Sequence, residues 1–229
     1  MIGGNSNSVT GKPLIRWVVD AALASGAARV VVCTDDQRIA DAVSGQVETC
    51  MTDPEHPSGT DRIAEAVKKM QIESDRVIVN LQGDEPDMPP AVIRQVAQLL
   101  EAEMLAAMAT ACYPITESEQ INDPNIVKVV CDVDGRAMYF SRAPIPYPRD
   151  GAKAQVFRHI GLYAYHAGFL SQFVQWPVCA IEAAEQLEQL RALYYGATIM
   201  VAQAEQAPPI GIDTEDDLQR FKTTVQSQA

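Results

Sequence analysis

The apolar positions of this chain alternate between two rhythms. Residues 29–34 and 77–81 are short runs rich in β-branched residues, as strands are, and 47–51 and 106–113 read as further strands. Between them, 13–25, 36–44, the stretch from the polar loop at 56–62 to about Met70, and 89–103 carry the spacing of helices. Pro13 suits the first turn of its helix, and Gly26 suits the exit. Strands alternating with helices at this interval predict an α/β fold with a doubly wound, mostly parallel sheet. The unbroken apolar run at 77–81 predicts a central strand.

Past Tyr113 the rhythm changes. Residues 127–131 and 137–141 flank the turn Asp132-Val-Asp-Gly135 and predict an antiparallel hairpin. Residues 157–165 form a further strand. The positions Ile181, Ala184, Leu187, Leu190 and Tyr194 mark one face of a single amphipathic helix over 181–195. A late strand at 198–202 and a closing helix at 214–224, capped by Thr214, complete the chain. No internal repeat or separating linker interrupts it.

Composition narrows the class of partner. At 229 residues with 47% apolar content, the chain fits one α/β domain with a full core. A formal charge of −12 and a pI near 4.6 argue against nucleic acid and anionic membrane as partners. No apolar run approaches the roughly 18 residues that would indicate membrane insertion. The first residues lack the basic start and apolar core of a signal peptide, which predicts a cytoplasmic protein. Five cysteines without a C-x-x-C pair read as reduced, structural thiols.

Four segments carry candidate chemistry. In Gln82-Gly-Asp84-Glu-Pro86 a strand runs into a carboxylate, where ligands meet an open α/β sheet and Asp84 could hold Mg²⁺; a plain strand-end turn reads equally well. In Gly211-Ile-Asp213-Thr, Asp213 reads as an acidic residue favoured by a helix start, or as a second Mg²⁺ ligand beside Asp84. The loop His56-x-Ser58-Gly59-Thr60-x-Arg62 offers hydroxyls and amide N–H groups at a helix start, to grip an anion or read a base edge or simply to cap the helix. Finally Arg142, Arg149 and Arg158 gather positive charge suited to a sugar-acid carboxylate, although each could form a surface ion pair. His159 in its alternating strand reads by itself as a core histidine.

In order along the chain stand H-x-S-G-T-x-R, V-N-x-Q-G-D-E-P, N-x-V-K-V-V, Y-F-S-R-x-x-I-P, R-H-x-G-x-Y, L-E-Q-L-R and G-x-D-T. This series closely resembles the CMP-Kdo synthetases, the 3-deoxy-manno-octulosonate (Kdo) cytidylyltransferases of lipopolysaccharide synthesis, over about residues 11–225. The resemblance implies a nucleotide-diphospho-sugar transferase-like, Rossmann-like fold. It implies a single cytidylyltransferase domain over 1–229, with 127–165 as its sugar-binding and dimer elaboration. The implied partners are CTP, Kdo and a second copy in a homodimer, and the implied cofactor is Mg²⁺ on Asp84 and Asp213. His56, Ser58, Gly59, Thr60 and Arg62 fall on the family's cytosine-recognition segment, and Gln82 near the junction of nucleotide and sugar. Arg149, His159, Tyr163, Glu188 and Gln189 fall on the region that holds the sugar acid. For Glu188 and Gln189 the resemblance is the sole basis.

The opening departs from the family. Where the family has an apolar strand and the loop I-P-A-R-x-x-S-x-R-L-P-G-K-P, this chain reads Met1-Ile-Gly-Gly-Asn-Ser-Asn-Ser-Val-Thr10. Gly11-Lys12-Pro13 matches the family's second G-K-P, so the phosphate-binding lysine is not carried onto Lys12. Without that strand two sheet edges are expected to stand open. Alternatives to a Kdo enzyme are a catalytically impaired homologue that binds a sugar acid or nucleotide, or a truncated form, and a cytidylyltransferase for 8-amino-Kdo or another 2-keto sugar acid.

Overall fold

A computed structural model describes residues 8–151, 154–208, 211–212 and 214–228. In chain order the elements are β1 (Ser8–Val9), β2 (Lys12–Pro13), α1 (Leu14–Ala24), β3 (Val31–Thr34), α2 (Gln37–Val43), β4 (Glu48–Met51), α3 (Gly59–Lys69), β5 (Val77–Asn80), α4 (Pro90–Ala102) and β6 (Met108–Pro114). Then follow α5 (Ser118–Asn122), β7 (Lys128–Cys131), β8 (Ala137–Ser141), β9 (Phe157–His166), α6 (Ala167–Phe173), α7 (Ala180–Glu185), α8 (Gln189–Tyr194), β10 (Ile199–Gln203) and α9 (Glu215–Gln228). By contact the chain separates into two units: residues 1–72, 81–94 and 208–229, and residues 73–80 and 95–207.

In the first unit, β3 and β4 form a parallel pair. Helix α1 is apolar on two sides because it serves two clusters. Ile15, Val18 and Val19 pack with Val32 and Val43, while Leu14 packs with Val9, Ile212, Leu218 and Phe221. Trp17 meets Phe221 edge-on, with centroids 5.7 Å apart, as the ring quadrupoles favour. Gly26 leaves α1 at φ +83°, a conformation an L side chain resists. Asp36 caps α2 by accepting from the Arg38 N–H at 2.8 Å. The expected cap of α9 is present: the Thr214 hydroxyl accepts from the Asp217 N–H at 3.2 Å, and the Asp217 carboxylate accepts from the Thr214 N–H at 2.8 Å.

The second unit holds a six-stranded mixed sheet in the order β10-β6-β9-β7-β8, with β5 also on β9. Strand β6 is parallel to β10 and antiparallel to β9. It is buried from Met108 to Cys112, which is why its residues there are apolar apart from Thr110, whose hydroxyl is hydrogen-bonded. β9 pairs with β6 along nearly its whole length, and with β7 near its start and β5 near its end. The predicted hairpin is β7–β8, antiparallel with an irregularity at Val130/Cys131. The α/β class inferred from the alternation holds.

Two sequence expectations need correction. Strand β5 is not central among the described strands: it pairs with β9 alone, and all four of its residues are half-buried. Likewise β3 pairs with β4 alone among the described residues, so one edge of each strand carries no described ladder. The single helix over 181–195 is instead α7 and α8, broken at Gln186, which sits in the left-handed region at φ 52°, ψ 48°. The break lets Arg191 reach back to Glu182 in a buried bidentate pair, with N–O distances of 2.8 and 2.6 Å. The apolar stripe read from spacing is therefore only partly the buried face: Leu187 and Leu190 are buried, but Ala184 and Tyr194 are exposed, and Glu182, Gln189 and Arg191 are buried with the leucines.

Candidate functional site

The residues expected to read the nucleotide belong to the first unit. Ser58 is the N-cap of α3: its hydroxyl accepts from the Asp61 N–H at 3.2 Å and donates to the Asp61 carboxylate at 2.7 Å. Gly59 opens the helix, and a side chain there would meet nothing within 4 Å, so its backbone stands open to an approaching group. Thr60 is buried on the next position. Arg62, a cation in the first turn where the helix dipole disfavours one, is held from outside the helix. Its guanidinium donates to the Thr52 hydroxyl at 2.6 Å and pairs with Asp35 at 2.9 Å. The His56 ring hydrogen-bonds Glu65 through Nε2. Glu65 is bound as well by Lys69 and by the Asp53 N–H, and these donors, Lys69 foremost, hold its carboxyl at about 2.

Gln82 and Asp84 follow β5 directly in the chain. The Gln82 carbonyl closes a turn with the Glu85 N–H at 3.2 Å, and the Gln82 side chain is exposed. Asp84 is half-buried, and its carbonyl accepts from the Ile212 N–H at 2.9 Å. A Cβ on Gly211 would lie 3.0 Å from the Glu85 carboxylate, so glycine permits this approach of chain to turn. Asp213 lies outside the described residues. No group of three metal-ligating His, Cys, Asp or Glu occurs among the described residues.

The residues expected to hold a sugar acid belong to the second unit, and four of the five gather. His159 and Tyr163 lie on one face of β9 with ring centroids 5.3 Å apart, and Phe140 stands edge-on to His159 at 5.0 Å. Burial pushes the His159 imidazole down to about 3, so the ring is neutral at physiological pH. Burial raises the Tyr163 phenol well above its ordinary value, and the charge of Glu188 adds to the rise. Glu188 lies 3.5 Å from Arg191 at the start of α8, and Gln189 is buried beside it. Arg149 is not drawn in: its side chain is 88% exposed and paired only loosely with Asp150, at 3.4 Å.

The arginine cluster divides by role. Arg142 is a structural clamp that donates to the carbonyls of Glu185 and Pro124 at 2.7 and 2.9 Å. Arg158 lies over the Tyr113 ring at 5.7 Å. Three features escaped the sequence reading. Thr110 is fully buried against His159; Lys128 is fully buried with its ammonium on three carbonyls; Glu182 pairs with Arg191. The K of N-x-V-K-V-V and the R of L-E-Q-L-R were the available signals, since a charge inside an apolar run is costly unless paired. All five cysteines are free, and burial raises Cys33 and Cys131 to about 11 and Cys112 to about 12. No helix among the described residues is long and apolar enough to cross a membrane.

Comparison with known proteins gives the relationship. The profile of the cytidylyltransferase family matches residues 2–199. The 3-deoxy-manno-octulosonate cytidylyltransferase of Vibrio vulnificus is 48% identical over 231 residues, spanning 96% of this chain and 91% of that protein. The enzyme of the same name from Aeromonas hydrophila is 49% identical, over 93% of this chain and 89% of its own. A solved CMP:2-keto-3-deoxy-manno-octonic acid synthetase complexed with CTP aligns with a TM-score of 0.93 at 36% identity, covering 100% of this chain and 94% of that one. A 4-diphosphocytidyl-2C-methyl-D-erythritol synthase, at 12% identity and a TM-score of 0.63, shares the fold. The chain belongs to the cytidylyltransferase family and, within it, to the 3-deoxy-manno-octulosonate cytidylyltransferases.

Proposed function

We propose that this chain transfers CMP from CTP to the anomeric hydroxyl of Kdo, releasing pyrophosphate, as a cytoplasmic step of lipopolysaccharide synthesis. The observation that carries this reading is the 48% identity to a named Kdo cytidylyltransferase across 96% of the chain. The same match favours the working enzyme over an impaired homologue.

The chemistry is an in-line displacement: the sugar oxygen forms a bond to the α-phosphorus of CTP as the bond to pyrophosphate breaks. Such a reaction needs placement and charge neutralisation rather than a side-chain nucleophile. In the first unit, Ser58, Gly59, Thr60 and the tethered Arg62 present hydroxyls, amide N–H groups and a guanidinium to cytosine. His56 buttresses the loop through Glu65, and Gln82 is the residue that the family resemblance assigns to the junction of nucleotide and sugar. In the second unit, neutral His159, protonated Tyr163, Glu188 and Gln189 offer hydrogen bonds to sugar hydroxyls. Arg149 carries the planar fork suited to the carboxylate, and because it stands exposed beside Asp150 it would have to move to meet the acid.

Asp84 and Asp213 are the proposed holders of Mg²⁺. Their hard oxygen donors suit that ion, which binds through one or two carboxylates together with phosphate oxygens. The Ile212 N–H on the Asp84 carbonyl ties the residue preceding Asp213 to the Asp84 turn, which supports the pairing. Bound there, the ion would screen phosphate charge and lower the pKa of the attacking hydroxyl.

The homodimer is proposed through 127–165. Strand β8 ends the sheet path, and Val133, Met138 and Tyr147 expose apolar surface in this segment. Light scattering on the purified chain should give twice the 24.9 kDa subunit mass; a monomer at working concentration would remove this part of the proposal. Pyrophosphate release measured with CTP, Mg²⁺ and a panel of Kdo, 8-amino-Kdo and sialic acid tests the assignment. Kdo should give the highest kcat/KM. A higher value for 8-amino-Kdo would reassign the sugar, and release with none of the three would overturn the activity.

A further inference from the structure

Strand β9 is irregular where it passes His159. Ala111 of β6 pairs with Ile160, but the preceding residue, Thr110, pairs with Tyr163, so Gly161 and Leu162 bulge between them. Bulges of this kind re-aim side chains and are common beside active sites. The fully buried Thr110 hydroxyl fills this bulge. Its Oγ1 lies 2.7 Å from the Leu162 carbonyl oxygen, 3.0 Å from that of Ile160 and 3.0 Å from His159 Nε2.

Proton counting decides the state of the ring. A threonine hydroxyl has one proton, and a carbonyl oxygen can only accept. If that proton pointed at Nε2, two carbonyl oxygens would face the bare oxygen of Thr110 at hydrogen-bonding distance without a proton between them. With the proton on the shorter contact, to Leu162, the oxygen accepts from Nε2–H instead. The neutral imidazole then carries its single proton on Nε2, and Nδ1 has a lone pair with no protein donor on it among the described residues.

We propose that Thr110 is a positioning residue that fixes His159 as the Nε2–H tautomer, so that Nδ1 accepts a hydrogen bond from a hydroxyl of the bound sugar acid. A neutral acceptor there favours a hydroxyl and rejects the acid's carboxylate, so it sets the orientation of the sugar. This inference rests on the proposed function for the identity of the sugar, but the tautomer does not depend on it.

The test is ¹⁵N NMR of the three histidines in the full chain, with the His159 signals assigned by their loss in His159→Gln. His159 should be protonated on Nε2 in the wild type, and Thr110→Val should mix the tautomers. Thr110→Val should also raise KM for Kdo about tenfold, the worth of one hydrogen bond of roughly 1.4 kcal/mol, with KM for CTP unchanged. Thr110→Ser, which keeps the hydroxyl, should restore both readouts and separates the effect from poor folding. A wild-type ring protonated on Nδ1 overturns the proposal whatever the substrate. So does a Thr110→Val enzyme that folds and keeps the wild-type KM for Kdo. If the wild type turns over no Kdo, the functional assignment fails separately. A Kdo titration followed at Nδ1 then decides this inference, with a shift supporting it and none removing it.

Discussion

His159 and Lys128 show what burial does to single ionisable residues. The His159 pKa falls from an ordinary 6.5 to about 3 in the folded chain. Between those values the unfolded chain takes up a proton that the folded one refuses, so stability rises with pH through this window. The contribution is complete above about 6.5 and is lost as pH falls toward 3. Thermal melts of the wild type should therefore weaken from pH 7 to pH 4 more steeply than those of His159→Gln; parallel curves would contradict the assignment. Lys128 is solved differently. Its ammonium donates to the carbonyls of Asp123, Ile126 and Arg142 at 3.0, 2.6 and 2.5 Å, tying the loop before β7 to the end of β8. Lys128→Met should leave those carbonyls unpaired and cost about 1–3 kcal/mol in urea denaturation. Both residues stood in quoted sequence motifs. What the sequence could not give was the partner across the sheet that each one meets.

At the scale of elements, α7 and α8 carry the clearest lesson. Apolar spacing predicted one helix, because periodicity counts hydrophobic residues and passes over buried charges. The pair Glu182–Arg191 occupies the inner face, and Arg191 also lies over the Phe173 ring at 4.6 Å. Glu185, just before the break, accepts from the Ser141 hydroxyl and the Arg142 N–H at 2.6 and 2.9 Å. The turn at Gln186 thus brings Glu188 and Gln189 to the start of a separate helix. Glu182→Leu should strand the Arg191 charge and cost about 3–5 kcal/mol, while Glu182→Leu with Arg191→Met should recover most of it. An additive double variant would mean the two residues are not coupled. The elements at 29–34, 47–51, 137–141 and 157–165 were legible to within two residues, because each joins strand-forming residues to turn residues nearby; 106–113, rich in alanine, was legible from its place in the strand–helix alternation. Helix α3 was legible because Ser58, a capping residue, stands just before the helical spacing. The hold on Arg62 was not, since Asp35 and Thr52 come from other elements. Asp35→Ala should free Arg62 and raise KM for CTP up to about fivefold, the worth of a partly exposed ion pair, leaving KM for Kdo unchanged.

Across the whole molecule, residues assigned to the nucleotide fall in one contact unit and those assigned to the sugar acid in the other. Hydrophobic rhythm gave the α/β class, and the ordered motifs gave the family. The antiparallel course of β9 was not legible, because strand direction depends on where a connection returns, which local pattern does not encode. The metal reading belongs at this scale, since Asp84 and Asp213 are distant in sequence. Asp84→Ala and Asp213→Ala should each abolish Mg²⁺-dependent turnover while the circular dichroism spectrum is retained; full rate in either would exclude that carboxylate as a ligand. The central claim is CMP transfer to Kdo, and the fate of labelled CTP tests it most directly. With Kdo and Mg²⁺ present, label on the α-phosphorus should move into CMP-Kdo and label on the γ-phosphorus into pyrophosphate, each only when Kdo is added. Alpha label that stays in CTP, or that appears as free CMP independently of Kdo, would contradict the account.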